Sequence, residues 1–324
     1  MSTTQRCSSI LLRYASRTKS LYRFQQRCNF SAGFSMEALK ELRTLTGAPI
    51  VECKKALQST DGQVPSALDW LREHGAAKAT SKVQGRETTQ GLIGLQVAPD
   101  GKSASLVQVA CETDFAALSA RFVDFVTKVA DATGTLSIGA SSEDMFEAES
   151  GGESVKRLLD EAVVAIRENI SVKQAIKFEA TEAEGIFVGY VHNRVDGKDA
   201  GFAAAVVEVA PSKPGSVSRE KLQEIGKRLA MHVVAARPTY LSSDDIPQDE
   251  LTKEKDILRN QMGDSDKPPE ILEKIVNGRL HKYYEQFCLL EQAHMIEESN
   301  PKVKGFLKDS SVVVKQFKLM TTGN

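Results

Sequence analysis

The sequence predicts an α+β chain in two parts: a small helical bundle, then a larger core built from a repeated unit with antiparallel sheets. Three observations carry this. Residues 36–79 hold three short runs with helical apolar spacing. The order strand, turn, strand, helix then occurs twice, roughly 95 residues apart. Two further helical stretches and a closing strand complete the chain.

In the first unit, from about Met36 to Ala79, Met36, Leu39, Leu42 and Leu45 mark a helix that Gly47 stops. Pro49 suits the first turn of a second helix, with Ile50, Cys53 and Leu57 as its stripe. Ser-Thr-Asp-Gly-Gln-Val-Pro (59–65) reads as a turn. Val64, Leu68 and Leu71 mark a third helix ending near Gly75. So small a bundle is marginal alone, which suggests that it docks on something. The polar stretch after it, and 80–90 in particular, reads as a linker.

The core opens with strands at 92–97 and 104–111, joined through Asp100-Gly101, a strong hairpin signal. A helix is expected from Asp114 to about Asp131, with Leu118, Phe122, Phe125, Val126 and Val129 on one face. Residues 139–153, acidic and rich in Gly and Ser, read as a surface loop. Val155, Leu158, Leu159, Ala162, Val163 and Ile166 mark another helix, and 171–180 alternates as a strand. Residues 91–180 thus form a first subdomain. The second, 181–324, repeats the pattern. Strands at 185–193 and 201–210 flank a turn at Asp196-Gly197. A helix with Leu222, Ile225, Leu229, His232 and Val233 in register ends before Pro238. Helical stretches at 248–263 and 268–287, separated by Gly-Asp-Ser-Asp-Lys-Pro-Pro (263–269), read as a protruding helical hairpin over 248–287. Residues 311–320 read as a closing strand.

Composition excludes several function classes. The chain has 324 residues, which suggests two or more domains at ~150 residues each. No run of 18 apolar residues exists, so no transmembrane helix and no membrane partner is expected. The net charge of −1 hides an asymmetry. Arg6, Arg13, Arg17, Lys19, Arg23 and Arg27 lie in a Ser-rich N-terminus that has no acid. This is the composition of a transit peptide over 1–35, cleaved between Arg27 and Met36, and it implies import into the mitochondrial matrix. The alternative is a basic arm that grips nucleic acid. The rest of the chain carries about seven more acids than bases, against what a dedicated nucleic-acid binder needs. Cys53, Cys111 and Cys288 are odd in number and far apart, with neither disulfide nor zinc spacing.

No catalytic constellation stands out, and no cofactor or metal is expected. Gly-Lys-Ser at 101–103 lacks the upstream glycine of a phosphate loop, that position being Gln96. The five histidines show no metal-ligand spacing, and His232 lies on an apolar helix face. Cys-Glu-Thr-Asp-Phe-Ala-Ala (111–117) is the ambiguous stretch. Asp114 looks like a helix cap, and Phe115 falls within about 40° of the apolar stripe at 100° per residue. Core packing is one reading of this corner. The other is an acid and an aromatic held out for a partner.

Five segments in order resemble the elongation factor Ts family: 39–57, Cys-Glu-Thr-Asp-Phe-Ala-Ala (111–117), Arg-Glu-Asn-Ile-Ser-Val-Lys-Gln-Ala-Ile-Lys-Phe-Glu (167–179), Met-His-Val-Val-Ala-Ala-Arg-Pro-Thr-Tyr-Leu (231–241) and 273–287. The resemblance extends over nearly everything after residue 36. It implies a UBA-like three-helix bundle and a core of two related subdomains. It also implies a non-enzymatic guanine-nucleotide exchange factor, with mitochondrial elongation factor Tu as the partner in its GDP-bound and nucleotide-free forms. Direct nucleic-acid binding is not expected. The family role of Thr113, Asp114, Phe115 and Ala116 is to meet the partner's nucleotide domain and displace its magnesium. Ala116 stands where the family has valine, which suggests a slightly looser contact. Ile50 and Val51 resemble the bundle's docking surface, although burial inside the bundle is as good a reading for Ile50. His192 aligns with a family histidine near the interface, in surroundings that depart from the usual glycine-rich form. The competing class is an interaction adaptor that uses the three-helix unit without promoting exchange.

Overall fold

The computed structural model describes residues 34–83, 85–261 and 269–323. The expected transit peptide and the turn at 263–269 lie almost wholly outside the described residues. Among the described residues the chain is mixed α and β, with eleven α-helices and antiparallel sheets. The described residues fall into two compact units, divided between Lys78 and Ala79.

The first unit holds three helices, consistent with a UBA-like bundle: α1 Met36–Thr46, α2 Ile50–Ser59 and α3 Val64–Val83. Ser35 accepts the Ala38 N–H at 3.0 Å to open α1, and Gly47 closes it in a left-handed turn at φ 68°. Leu39, Leu42, Cys53, Leu57, Ala67 and Leu71 are buried between the helices. Ile50 departs from its expected stripe and is 44% exposed, with Ala56 buried beside Cys53 and Leu57. Ile50 is the first residue of α2, and helical side chains lean toward the N-terminus, past the end of this short core. Helix α3 also runs on through Gly75 and into the stretch that reads as a linker. Ala76, Ala77, Lys78 and Ala79 are strong helix formers, and one interior glycine costs only about 1 kcal/mol.

In the second unit, β1 Gln90–Val97 and β2 Ser103–Cys111 form the expected hairpin, with Leu95 opposite Leu106. Gly101 takes φ 69° at its turn, and Asp100 accepts the Lys102 N–H at 2.9 Å. Two short helices, α4 Asp114–Ala117 and α5 Ala120–Thr135, follow where one was expected. Residues 139–153 are not a plain loop. They contain α6 Ser142–Glu147, opened by a reciprocal Ser141–Asp144 capping box, and the tight hairpin β3 Glu149–Ser150 and β4 Glu153–Ser154. Helix α7 Val155–Ile166 leads into β5 Ile170–Glu179, which pairs with β2.

The second copy runs β6 Ile186–His192, β7 Ala200–Gly201, β8 Ala203–Pro211 and α8 Arg219–Ala236. The helical pair is α9 Gln248–Asn260 and α10 Pro269–Phe287, in contact through Leu258, Val276 and Leu280. One α-helix of the second subdomain was not foreseen, α11 Val303–Asp309; β9 Val312–Thr321 then closes the chain.

The repeat is visible in the topology. One sheet has the order β5-β2-β1-β7 and the other β6-β8-β9. In each, the hairpin's second strand takes the later strand on its free side. Each of those ladders slips by one residue, at Gln108/Val109 and at Glu208/Val209. Helix α5 covers one face of the first sheet, burying Phe122, Val126 and Val129 with Val107 and Val109. Helix α8 covers the second sheet through Leu222, Ile225, Leu229 and Val233. The remaining faces pack on each other through Ile93, Leu95, Leu106, Phe187, Val191, Val206 and Met320. Strand β8 is buried on both faces, and its run Ala-Ala-Ala-Val-Val is accordingly apolar without alternation.

Candidate functional site

The corner at the end of β2 is built by caps. Thr113 is extended, at φ −124° and ψ 154°, and its hydroxyl accepts the Ala116 N–H at 3.2 Å. Thr113, and not Asp114, is therefore the N-cap of α4. Asp114 is the first helical residue, and its Oδ1 accepts the Phe115 N–H at 2.9 Å. Helix α4 ends after one turn. Ser119 starts α5 afresh, with its Oγ accepting the Phe122 N–H at 3.3 Å and donating to the Ala116 carbonyl at 2.7 Å.

This break removes the core-packing reading of Phe115. Only along one continuous helix does its angular position fall near the apolar stripe. With two helices, the stripe of α5 no longer includes residues before Ala120. Phe115 is 84% exposed, the most exposed large apolar side chain among the described residues. Asp114 is exposed, and Leu118 is half-exposed rather than in the core. Ala116 and Ala117 turn inward and join the cluster around Phe122. Ala116 thus belongs to the core and not to the exposed tip. The corner presents one aromatic ring and one carboxylate from a backbone with its ends tied.

Beneath it lies a set of contacts that sequence reasoning missed. Glu168, just past α7, accepts the Thr113 N–H at 2.9 Å and the Thr113 hydroxyl at 2.7 Å. In the other direction Glu112 accepts the Asn169 N–H at 2.6 Å. Asn169 donates its amide to the Arg86 carbonyl at 2.6 Å, and Arg86 approaches Glu112 at 3.4 Å. The only sequence signal was that Glu168 and Asn169 fall within a quoted motif. Nothing in a linear reading links them to residues more than fifty positions earlier. The Cys111 thiol, buried at the strand end, is pushed up to about 12 by burial first and the nearby Glu168 carboxylate next. It stays protonated and offers no nucleophile.

The other expected site residues lie elsewhere. His192 ends β6 in the second sheet, exposed, with its Nδ1 3.4 Å from the Tyr190 hydroxyl. Ile50 and Val51 open α2 in the first unit, 44% and 61% exposed. Among the described residues, no group of three or more His, Cys, Asp or Glu is placed to hold a metal ion. No helix among them is long and apolar enough to cross a membrane.

A family model described as elongation factor TS matches residues 112–324. The chain is 36% identical to elongation factor Ts of Lawsonia intracellularis, over 82% of this chain and 88% of that one. It is 33% identical to elongation factor Ts of Halothermothrix orenii, over 85% and 91%. The figure for elongation factor Ts of Brucella ovis is 39%, over 86% and 88%.

The chain belongs to the elongation factor Ts family. The matched region begins at Glu112, immediately before the capped corner, and takes in β5, the whole second sheet and the helical pair. As a member of the elongation factor Ts family, the chain is a translation elongation factor. The most exposed apolar ring among the described residues therefore sits within the part of the chain that the family model covers.

Proposed function

We propose that the chain is a guanine-nucleotide exchange factor for elongation factor Tu and that the Thr113–Ala116 corner is its working tip. In this mechanism Phe115 wedges between helices of the partner's nucleotide domain. Asp114 disturbs the groups that hold the partner's magnesium, and GDP leaves so that GTP can enter. The exposure of Phe115 on a capped, tied corner carries this proposal. An isolated apolar residue on a surface is ordinary. A ring left 84% exposed on a backbone held by Thr113 and Glu168 is pre-organised for insertion.

Magnitudes constrain the mechanism. An exchange factor couples two equilibria, so that partner and nucleotide each weaken the other by the same factor. A nanomolar GDP complex holds about 12 kcal/mol. Burying one phenylalanine yields ~1.5–3 kcal/mol. The ring therefore cannot eject the nucleotide alone. Loss of magnesium, which neutralises phosphate charge in a partly desolvated site, supplies the larger part. A wide interface keeps the wedge seated, and the exposed Ile50 and Val51 are offered as its contribution from the three-helix unit. His192 is a further candidate contact. The basic N-terminus supports a mitochondrial site of action, with that compartment's elongation factor Tu as the partner.

GDP release from elongation factor Tu at saturating factor tests the assignment. Asp114→Ala and Phe115→Ala should each slow release about tenfold or more, the loss of a contact worth ~1.4 kcal/mol or more. Wild-type rates in both variants would remove the corner from the mechanism. An adaptor that uses only the three-helix unit has the exposure of Ile50 and Val51 in its favour. It predicts binding by that unit with no effect on GDP release.

A further inference from the structure

We infer that Glu168 is a positioning residue for nucleotide exchange, acting through Thr113 on the angle at which the Asp114–Phe115 tip leaves the sheet. This rests on the corner being the working tip, as proposed above.

The geometry is a relay of hydrogen bonds. The last paired residues of β2 and β5 are Cys111 and Ile170. Beyond them the backbone ladder stops, but the pairing continues through side chains. Glu112 takes the Asn169 N–H, and Glu168 takes the Thr113 N–H and hydroxyl. The two carboxylates thus cross between the strands in opposite directions. Arg167 makes this possible by ending α7 in the left-handed region at φ 64°, which turns the chain back toward the end of β2. The Thr113 hydroxyl then has two roles with no conflict. It gives its proton to Glu168, which leaves its lone pairs directed at the Ala116 N–H. Glu168 therefore sets the rotamer of the cap, the cap starts α4, and α4 aims Phe115. Hydrogen bonds to a carboxylate are stronger than neutral ones, so the clamp is well suited to hold a one-turn helix that cannot hold itself. Glu168 does not reach the ring, and its effect on exchange passes through the tip.

The test measures GDP release from elongation factor Tu against factor concentration, for full-length chains carrying Glu168→Ala, Glu168→Gln, Phe115→Ala and Glu168→Ala with Phe115→Ala. Glu168→Ala should slow release at saturation by about tenfold, with the half-saturating concentration changed much less. Glu168→Gln keeps one carbonyl acceptor for Thr113 and should recover a large part of the rate. Loss of Glu168 should slow the Phe115→Ala chain by a clearly smaller factor than it slows the wild-type chain, since a tip without its ring keeps only Asp114 to be aimed. A merely structural role would instead slow the Phe115→Ala chain by the same further factor, and that additivity would overturn the inference. So would a wild-type rate in Glu168→Ala. A wild-type rate in Phe115→Ala would mark a different failure, that of the working tip itself, and the role of Glu168 would fall with it. Melting curves of each variant separate loss of fold from loss of aim, and Glu168→Gln preserves the test if Glu168→Ala does not fold.

Discussion

Single polar side chains hold the loops of this fold, and Thr113 and Glu208 show it from opposite sides of the repeat. Glu208 lies at the slipped step of β8, fully buried. It accepts the Thr181 N–H at 2.7 Å, the Thr181 hydroxyl at 3.0 Å and the Gln316 amide at 2.7 Å. It thereby ties the segment before β6 to β9. Glu208→Ala removes the buried acceptor that an exposed threonine and a half-buried glutamine share, and should lower the unfolding free energy by about 1–3 kcal/mol, read from the urea midpoint. An unchanged midpoint would mean that water takes over the acceptor role. Gln108 occupies the matching step of β2 and reaches the Thr321 carbonyl at 3.4 Å. A linear reading marks both as polar residues inside apolar runs but cannot say what they meet, because the partners come from distant strands. The tip was legible in the same limited sense. Asp114 and Phe115 were named from the motif, while the cap beside them and the carboxylate beneath it became visible only with the chain folded.

Among the elements, those with strong periodicity were legible: both hairpins, α5, α7, α8 and the closing strand stand where apolar spacing puts them. Two of the exceptions share one cause, that a local polar contact outweighs the pattern. Asp-Phe-Ala-Ala-Leu-Ser-Ala-Arg-Phe keeps helical spacing throughout, and yet Ser119 caps a new helix and splits it. Ser119→Ala should cost about 1 kcal/mol of stability. It should also blunt exchange as the corner loosens, measured by chemical denaturation alongside GDP release. Equal stability would show that the break is held by packing of Ala116 and Ala117 and not by the serine. Residues 139–153 err the other way. Their Gly/Ser-rich, acidic composition reads as loop, although Ser141 and Asp144 have the three-residue spacing of a capping box. The overrun of α3 past Gly75 follows from alanines that carry helix propensity without any apolar stripe.

Across the second unit, two covered sheets share one apolar seam, so disturbance of either reaches the other through residues such as Leu95 and Met320. Acid should enter at the buried histidine pair of the second subdomain. The His232 and His294 rings lie tilted against each other with centroids 5.1 Å apart, and the Gln292 side-chain oxygen lies 3.0 Å from His232 Nε2. Burial lowers both, and it lowers His294 from 6.5 to about 4, with His232 as the next cause. Between those values the unfolded chain binds protons that the folded chain refuses. Stability is therefore complete above pH 6.5 and falls as pH drops toward 4, by at most about 1.4 kcal/mol per pH unit through His294, with His232 adding to the loss in the same direction. Melting at pH 7.5 and pH 5 should show the loss, and His294→Asn should flatten it. The periodicity placed His232 on a packed face, but its partner, in the irregular stretch before α11, had no pattern to announce it. The most direct measurement of all is the release of a fluorescent GDP analogue from elongation factor Tu mixed with the full-length chain. We expect release to accelerate by orders of magnitude over buffer, and release no faster than in buffer would contradict the exchange mechanism at its root.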